Sequence, residues 1–225
     1  MKSKKSNIAI FNTFKTRKDK FTGEAKRQRG IIIHLATEKS PELRTRTSIA
    51  HAIAKNNGIL WQNIYSGIFK DLDEVLIPSN IVKEEGRLPL KRGPKALQLE
   101  GVPFYELTDT GLLVASSIEQ LGSSRIKILD SYLNKMSTYE QEQTVLKDCM
   151  LLLLKLAPLF TTKIIGEYIH AYSTGKIDSI VPFDIGKIKS VVGEQISMEK
   201  QLINAYDNMI SEQKDLVKKF FLILS

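Results

Sequence analysis

The sequence predicts a mainly α chain with one small β-hairpin, a mixed half followed by a helical half. Three observations predict it. Apolar residues recur at three- and four-residue steps along most of the chain. Two-residue alternation falls in two short runs, 81–83 and 103–107, on either side of a Gly/Pro-rich stretch. The last thirty residues carry a strict seven-residue apolar repeat.

The elements follow in order. Residues 26–37 form the first helix, with Ile31, Ile32 and Leu35 on its apolar face, and Ser40-Pro41 breaks it. A second runs from about 45 to 56 on Ile49, Ala50, Ile53 and Ala54. Gly58 ends it, because glycine takes the left-handed conformation beyond a helix terminus without steric cost. The third, about 60–75, has Ile64, Ile68, Leu72 and Val75 on one stripe, and Pro78 stops it. After the two strands, Thr108 is the expected N-cap of a fourth helix over 109–121.

Gly122-Ser123-Ser124 then reads as a joint. Residues 124–136 form an amphipathic helix. The next becomes apolar all round at 145–156, so burial in a bundle or an interface is expected, and Pro158 kinks or ends it. Residues 161–173 are amphipathic again, and 175–186 read as a loop. In the last helix Ile196, Ile203, Ile210, Val217 and Leu224 recur every seven residues, with Glu199, Tyr206, Gln213 and Phe220 on a second row that is only half apolar. Unbroken, it would span about 43 Å. Three domains are expected: a basic arm at 1–26, a mixed domain at 27–121 and a helical bundle or dimerisation domain at 122–225.

Composition excludes several classes. The 225 residues are 42 % hydrophobic and 26 % charged, as in ordinary globular proteins. One cysteine rules out a disulfide framework or a cysteine-based zinc finger, and fits a cytoplasmic setting. The apolar run 149–154 is far too short to span a membrane, and Ile8-Ala9-Ile10-Phe11 is too short for a secretory signal. The net charge of +8 is local: residues 1–30 hold ten Lys or Arg against two acids, leaving 23 basic and 23 acidic residues elsewhere. Such a basic segment attracts polyanions, nucleic acid first, and Ile8, Ile10, Phe11 and Phe14 offer a way for part of it to dock on the body.

The order helix, helix, tight turn, helix, strand, basic loop, strand, helix is that of a winged helix-turn-helix. Ile53, Ala54, Gly58, Ile59 and Ile64 stand where that motif needs small, turning and apolar residues, while Asn57 and Gly67 depart from it. Residues 105–111, Tyr-Glu-Leu-Thr-Asp-Thr-Gly, look like the strand-to-helix signature of the family. Residues 27–121 thus resemble the winged helix-turn-helix transcription regulators of bacteria and archaea. The resemblance implies that the third helix enters the major groove of DNA. Trp61, Gln62, Asn63 and Ser66 would then meet base edges, and Gln and Asn suit adenine.

Arg87, Lys91, Arg92 and Lys95 make a basic finger between the strands, suited to phosphates or the minor groove. Arg44 and Arg46 precede the second helix, where phosphate contacts fall in such domains. The C-terminal repeat suits a homodimer that places two recognition helices on neighbouring half-sites, and equally an intramolecular bundle.

No catalytic constellation stands out. His34, His51 and His170 are scattered, Cys149 lies in an apolar run where burial is expected, and no glycine-rich phosphate loop occurs. No cofactor and no metal are expected. The expected function is a double-stranded-DNA-binding regulator. The alternative is a protein-interaction scaffold without DNA, favoured by the arginine-poor third helix and the neutral charge of residues 31–225.

Overall fold

A computed structural model describes residues 8–58, 60–89, 101–137 and 141–224. The chain is mainly helical and divides into two compact units, Met1–Ile185 and Gly186–Ser225.

The N-terminal segment is the first departure from expectation. It is no free arm. Ile8 and Ile10 are fully buried, because their side chains gain more from the core than they lose in chain entropy. The amide of Ala9 donates to Gln28 Oε1 (2.7 Å), and Arg29 Nη1 donates to the Ile10 carbonyl (3.0 Å). Strands β1 (Thr13–Phe14) and β2 (Arg17–Phe21) then form an antiparallel hairpin on which Lys15, Arg17, Lys18 and Lys20 are exposed. Four of the ten basic residues of the segment sit on this hairpin, and Lys26, Arg27 and Arg29 belong to the helix that follows. Docking by Ile8 and Ile10 agrees with the sequence, whereas Phe14 stays half exposed.

Helix α1 (Gly23–Thr37) starts earlier than its apolar pattern suggests, because the Thr22 hydroxyl accepts from the Ala25 amide (3.2 Å). Helix α2 (Arg46–Asn57) is capped by Thr45 and closed by Gly58 at φ 64°. Helix α3 (Gln62–Lys70) is shorter than expected. Residues 71–76 continue it as a wider, π-type turn in which the Ile77 amide donates to the Leu72 carbonyl (2.9 Å). The apolar stripe survives this change, with Ile68, Leu72 and Val75 buried.

Strands β3 (Val82–Leu88) and β4 (Val102–Leu107) pair antiparallel from Val82 opposite Leu107 to Leu88 opposite Val102, with a bulge between Glu84 and Gly86. Thr108 caps α4 (Asp109–Ser116) by accepting from the Gly111 amide (3.1 Å). Gly111 is required by packing: a Cβ there would lie 2.1 Å from the Ile81 carbonyl oxygen.

Helices α5 (Ser124–Lys135), α6 (Gln141–Leu156) and α7 (Pro158–Ser173) complete the first unit. α5 and α7 both pack on α4, and α6 packs on α5 and α7. The expected domain boundary at 122 therefore falls inside one unit: Gly122 turns the chain at φ 52°, but the helices on either side share a core. The all-round apolar helix is not buried. Met150 and Leu154 face inward, while Val145, Leu152 and Leu156 are 55 %, 56 % and 74 % exposed, and Cys149 is exposed. Pro158 starts α7 rather than kinking α6, as its missing N–H allows at a first helical position.

The second unit holds α8 (Ile185–Asp207) and α9 (Ser211–Leu224). The expected single long helix is broken at 208–210. There the Ile210 amide turns away from the helical ladder and donates to Gln213 Oε1 (3.2 Å), half of a capping box. The seven-residue repeat thus has Ile196 and Ile203 on α8, Val217 on α9 and Ile210 between them.

Candidate nucleic-acid interface

Helix α3 has two flanks of opposite character. Gln62, Asn63 and Ser66 are exposed on one. Trp61, Tyr65 and Phe69, spaced four apart, line the other and are half-buried. The Trp61 ring lies 4.6 Å from that of His51 and 5.3 Å from that of Tyr65, and Tyr65 is 4.6 Å from Phe69 (centroid distances). This row fastens α3 to α2. Trp61 therefore belongs with the packed flank more than with the outward one. Its four-residue spacing is visible in the sequence, but the stacking of His51 on Trp61 depends on how α2 meets α3.

Arg46 closes the row. Its guanidinium lies 4.5 Å from the Phe69 ring centre and 5.4 Å from that of Tyr105. Nε donates to Tyr105 Oη (2.6 Å), and the two terminal nitrogens grip the Asp73 carboxylate. Burial raises the Tyr105 pKa, and the Arg46 hydrogen bond opposes that shift. A groove of about 290 Å³ is lined by Tyr65, Phe69, Arg87, Val102 and Tyr105.

The arginines expected to hold phosphates are engaged within the chain. Arg44 is 9 % exposed, and its Nη1 lies 2.5 Å from Glu85 Oε2. Arg46 is held by Asp73. Arg87 Nε donates to Glu84 Oε1 (2.6 Å). The sequence shows these acids but not their pairing, which the β3 bulge and the fold of α2 set. Lys91, Arg92 and Lys95 lie outside the described residues.

Behind α3, the sequence gives no hint of a buried cluster. Asp71, 1 % exposed, accepts from Arg27 Nε (2.7 Å) and Gln28 Nε2 (3.4 Å). The cluster explains Gly67: a Cβ there would lie 2.7 Å from Arg27 Nε. The departure from the helix-turn-helix pattern is the space through which Arg27 reaches Asp71.

In the second unit, Ile196, Ile203, Ile210 and Phe220 are exposed (36–62 %), while Tyr206 and Val217 are half-buried. The Leu224 side chain is not among those described. Among the described residues no group of three His, Cys, Asp or Glu could hold a metal ion, and no helix is long and apolar enough to cross a membrane. Comparison of the chain with family models, curated proteins and solved structures finds no match.

Proposed function

We propose that residues 27–121 form a winged helix-turn-helix and that the chain binds double-stranded DNA, as a cytoplasmic homodimeric transcription regulator. One observation carries the reading: α3 is fastened by an aromatic row on one flank and presents Gln62, Asn63 and Ser66 to solvent on the other. The basic β1–β2 hairpin supplies sequence-independent attraction. The exposed apolar residues of α8 and α9 supply the surface through which two chains pair.

A second reading is favoured by a specific observation. Arg44, Arg46 and Arg87 are each neutralised by a carboxylate, so the face around α3 offers few free cations. A protein-interaction scaffold needs none.

Fluorescence anisotropy with random duplex DNA at ~50 and ~200 mM salt separates the two. Binding that falls steeply with salt, and a site preference altered by Gln62→Ala/Asn63→Ala, supports the regulator. Absence of binding at both salts ends it and leaves the scaffold.

A further inference from the structure

Two of the described arginines are buried, Arg29 and Arg44, each with an Nε that lacks a partner, and Arg29 alone of the two has no carboxylate in contact. It is 6 % exposed, yet its described hydrogen bonds run to neutral acceptors: the Ile10 carbonyl and Gln120 Oε1. Its Nε has no partner. Beneath it lies the Phe21 ring, with the guanidinium carbon 4.2 Å from the centroid. By contrast, Arg27, Arg44, Arg46 and Arg87 each touch a carboxylate. A buried cation costs free energy unless an anion compensates it. Burial accordingly lowers the Arg29 pKa, and the charge of Glu119 only opposes that shift.

A groove of about 400 Å³ opens beside Arg29, between α1 and α2. Among the described residues its polar lining includes Lys26 and His34 and no Asp or Glu. Its walls include Ile33, Ala52 and Ile53. Its volume lies in the range of small-molecule sites, and cations with apolar walls define the class of ligand. Gln120 also lines it and is exposed, so its side chain has solvent to move into when its bond to Arg29 is exchanged.

The geometry points to a binding site for a small organic carboxylate, whose oxygens take the Nε and Nη2 edge of Arg29 in place of the Gln120 amide. Lys26 at the mouth adds a second positive charge, and the apolar body of the ligand lies along Ile33 and Ala52. A planar two-oxygen anion matches the guanidinium fork, which makes this pairing stronger than a neutral hydrogen bond. The site lies apart from the exposed flank of α3, and the inference does not rest on DNA binding.

Titration of the full chain by amide-resonance NMR tests it, with hexanoate, its neutral amide hexanamide, and inorganic phosphate as probes. Hexanoate is expected to saturate, with the amide and phosphate at least about tenfold weaker. Two exposed positions supply variants that keep the core intact. Lys26→Glu is expected to weaken hexanoate about tenfold or more. Gln120→Glu places a carboxylate on Arg29, so it is expected both to abolish hexanoate binding and to raise the thermal midpoint by a few degrees. No saturable shift with hexanoate up to about 10 mM overturns the proposal. So does phosphate binding as tightly as hexanoate, or an affinity unchanged in both variants.

Discussion

Arg46 shows how one side chain serves several elements at once. It pairs with Asp73, donates to Tyr105 and lies over Phe69, tying α2 to β4 and to the row on α3. Arg46→Ala leaves the Tyr105 hydroxyl and the Asp73 carboxylate without this partner. Chemical denaturation should show a loss of about 1–3 kcal/mol. Gly111 is less forgiving, because the atom facing it is a backbone oxygen that cannot turn aside. Gly111→Ala should cost about 1–3 kcal/mol or more on the same measurement, a neutral change being the contrary result. Thr108 and Gly58 were legible from the sequence, since a cap and a helix terminator act on neighbours within a few residues. Arg27 with Asp71, 44 positions apart, and Arg44 with Glu85 were not. Their pairing exists only after the fold brings distant segments together, and the sequence offers many other charges of equal claim.

Elements were read most faithfully where local signals agree. Helix α2, β4 and α5 lie close to their periodic patterns and α4 begins where its cap says, whereas β3 runs on to Leu88 and the β1–β2 hairpin was not foreseen. Failures came where a pattern admits two outcomes. An all-round apolar segment suits burial in a bundle or in an interface, and within the single chain α6 lies at the surface with Leu152 and Leu156 outward. A heptad repeat suits one long helix, but Gln213 captures the Ile210 amide and splits it. The third helix widens at 71–76, where the same buried stripe is kept with a different hydrogen-bond span. The outward position of Gln62, Asn63 and Ser66 was legible from their place on the apolar wheel, whereas the neutralised arginines beside them were not. The basic hairpin yields a clean experiment. Replacing Lys15, Arg17, Lys18 and Lys20 with Ala alters exposed residues only, so the thermal midpoint should stay within a degree or two while random-duplex affinity falls and its salt slope flattens. An unchanged slope would remove the hairpin from DNA binding.

Across the whole molecule, burial governs behaviour at high pH. Tyr132 and Tyr168 are 5 % and 0 % exposed, and burial, with Asp109 and Asp184 adding to it respectively, pushes each pKa up to about 12. The unfolded chain ionises these phenols near 10, before the folded chain does. Their contribution is therefore complete below about pH 10 and is lost as pH rises towards 12. Thermal midpoints should be flat through neutrality on this account and fall across that window, with Tyr132→Phe reducing the fall. The second unit predicts a different dependence. If its apolar residues pair two chains, Ile203→Glu/Phe220→Glu should shift sedimentation from dimer to monomer, and a chain that is monomeric before substitution would refute the pairing.

The lodging of Ile10 against Arg29, and of Arg29 against Gln120, also bears on how the chain is made. Arg29 bridges partners 19 residues before it and 91 after it. During synthesis the first helix leaves the ribosome long before Gln120 exists. For that interval Arg29 has the Ile10 carbonyl but not its second acceptor. The hydrogen bonds of Arg29 are thus complete only once more than half of the 225 residues have been made, so its final setting is a late event in folding.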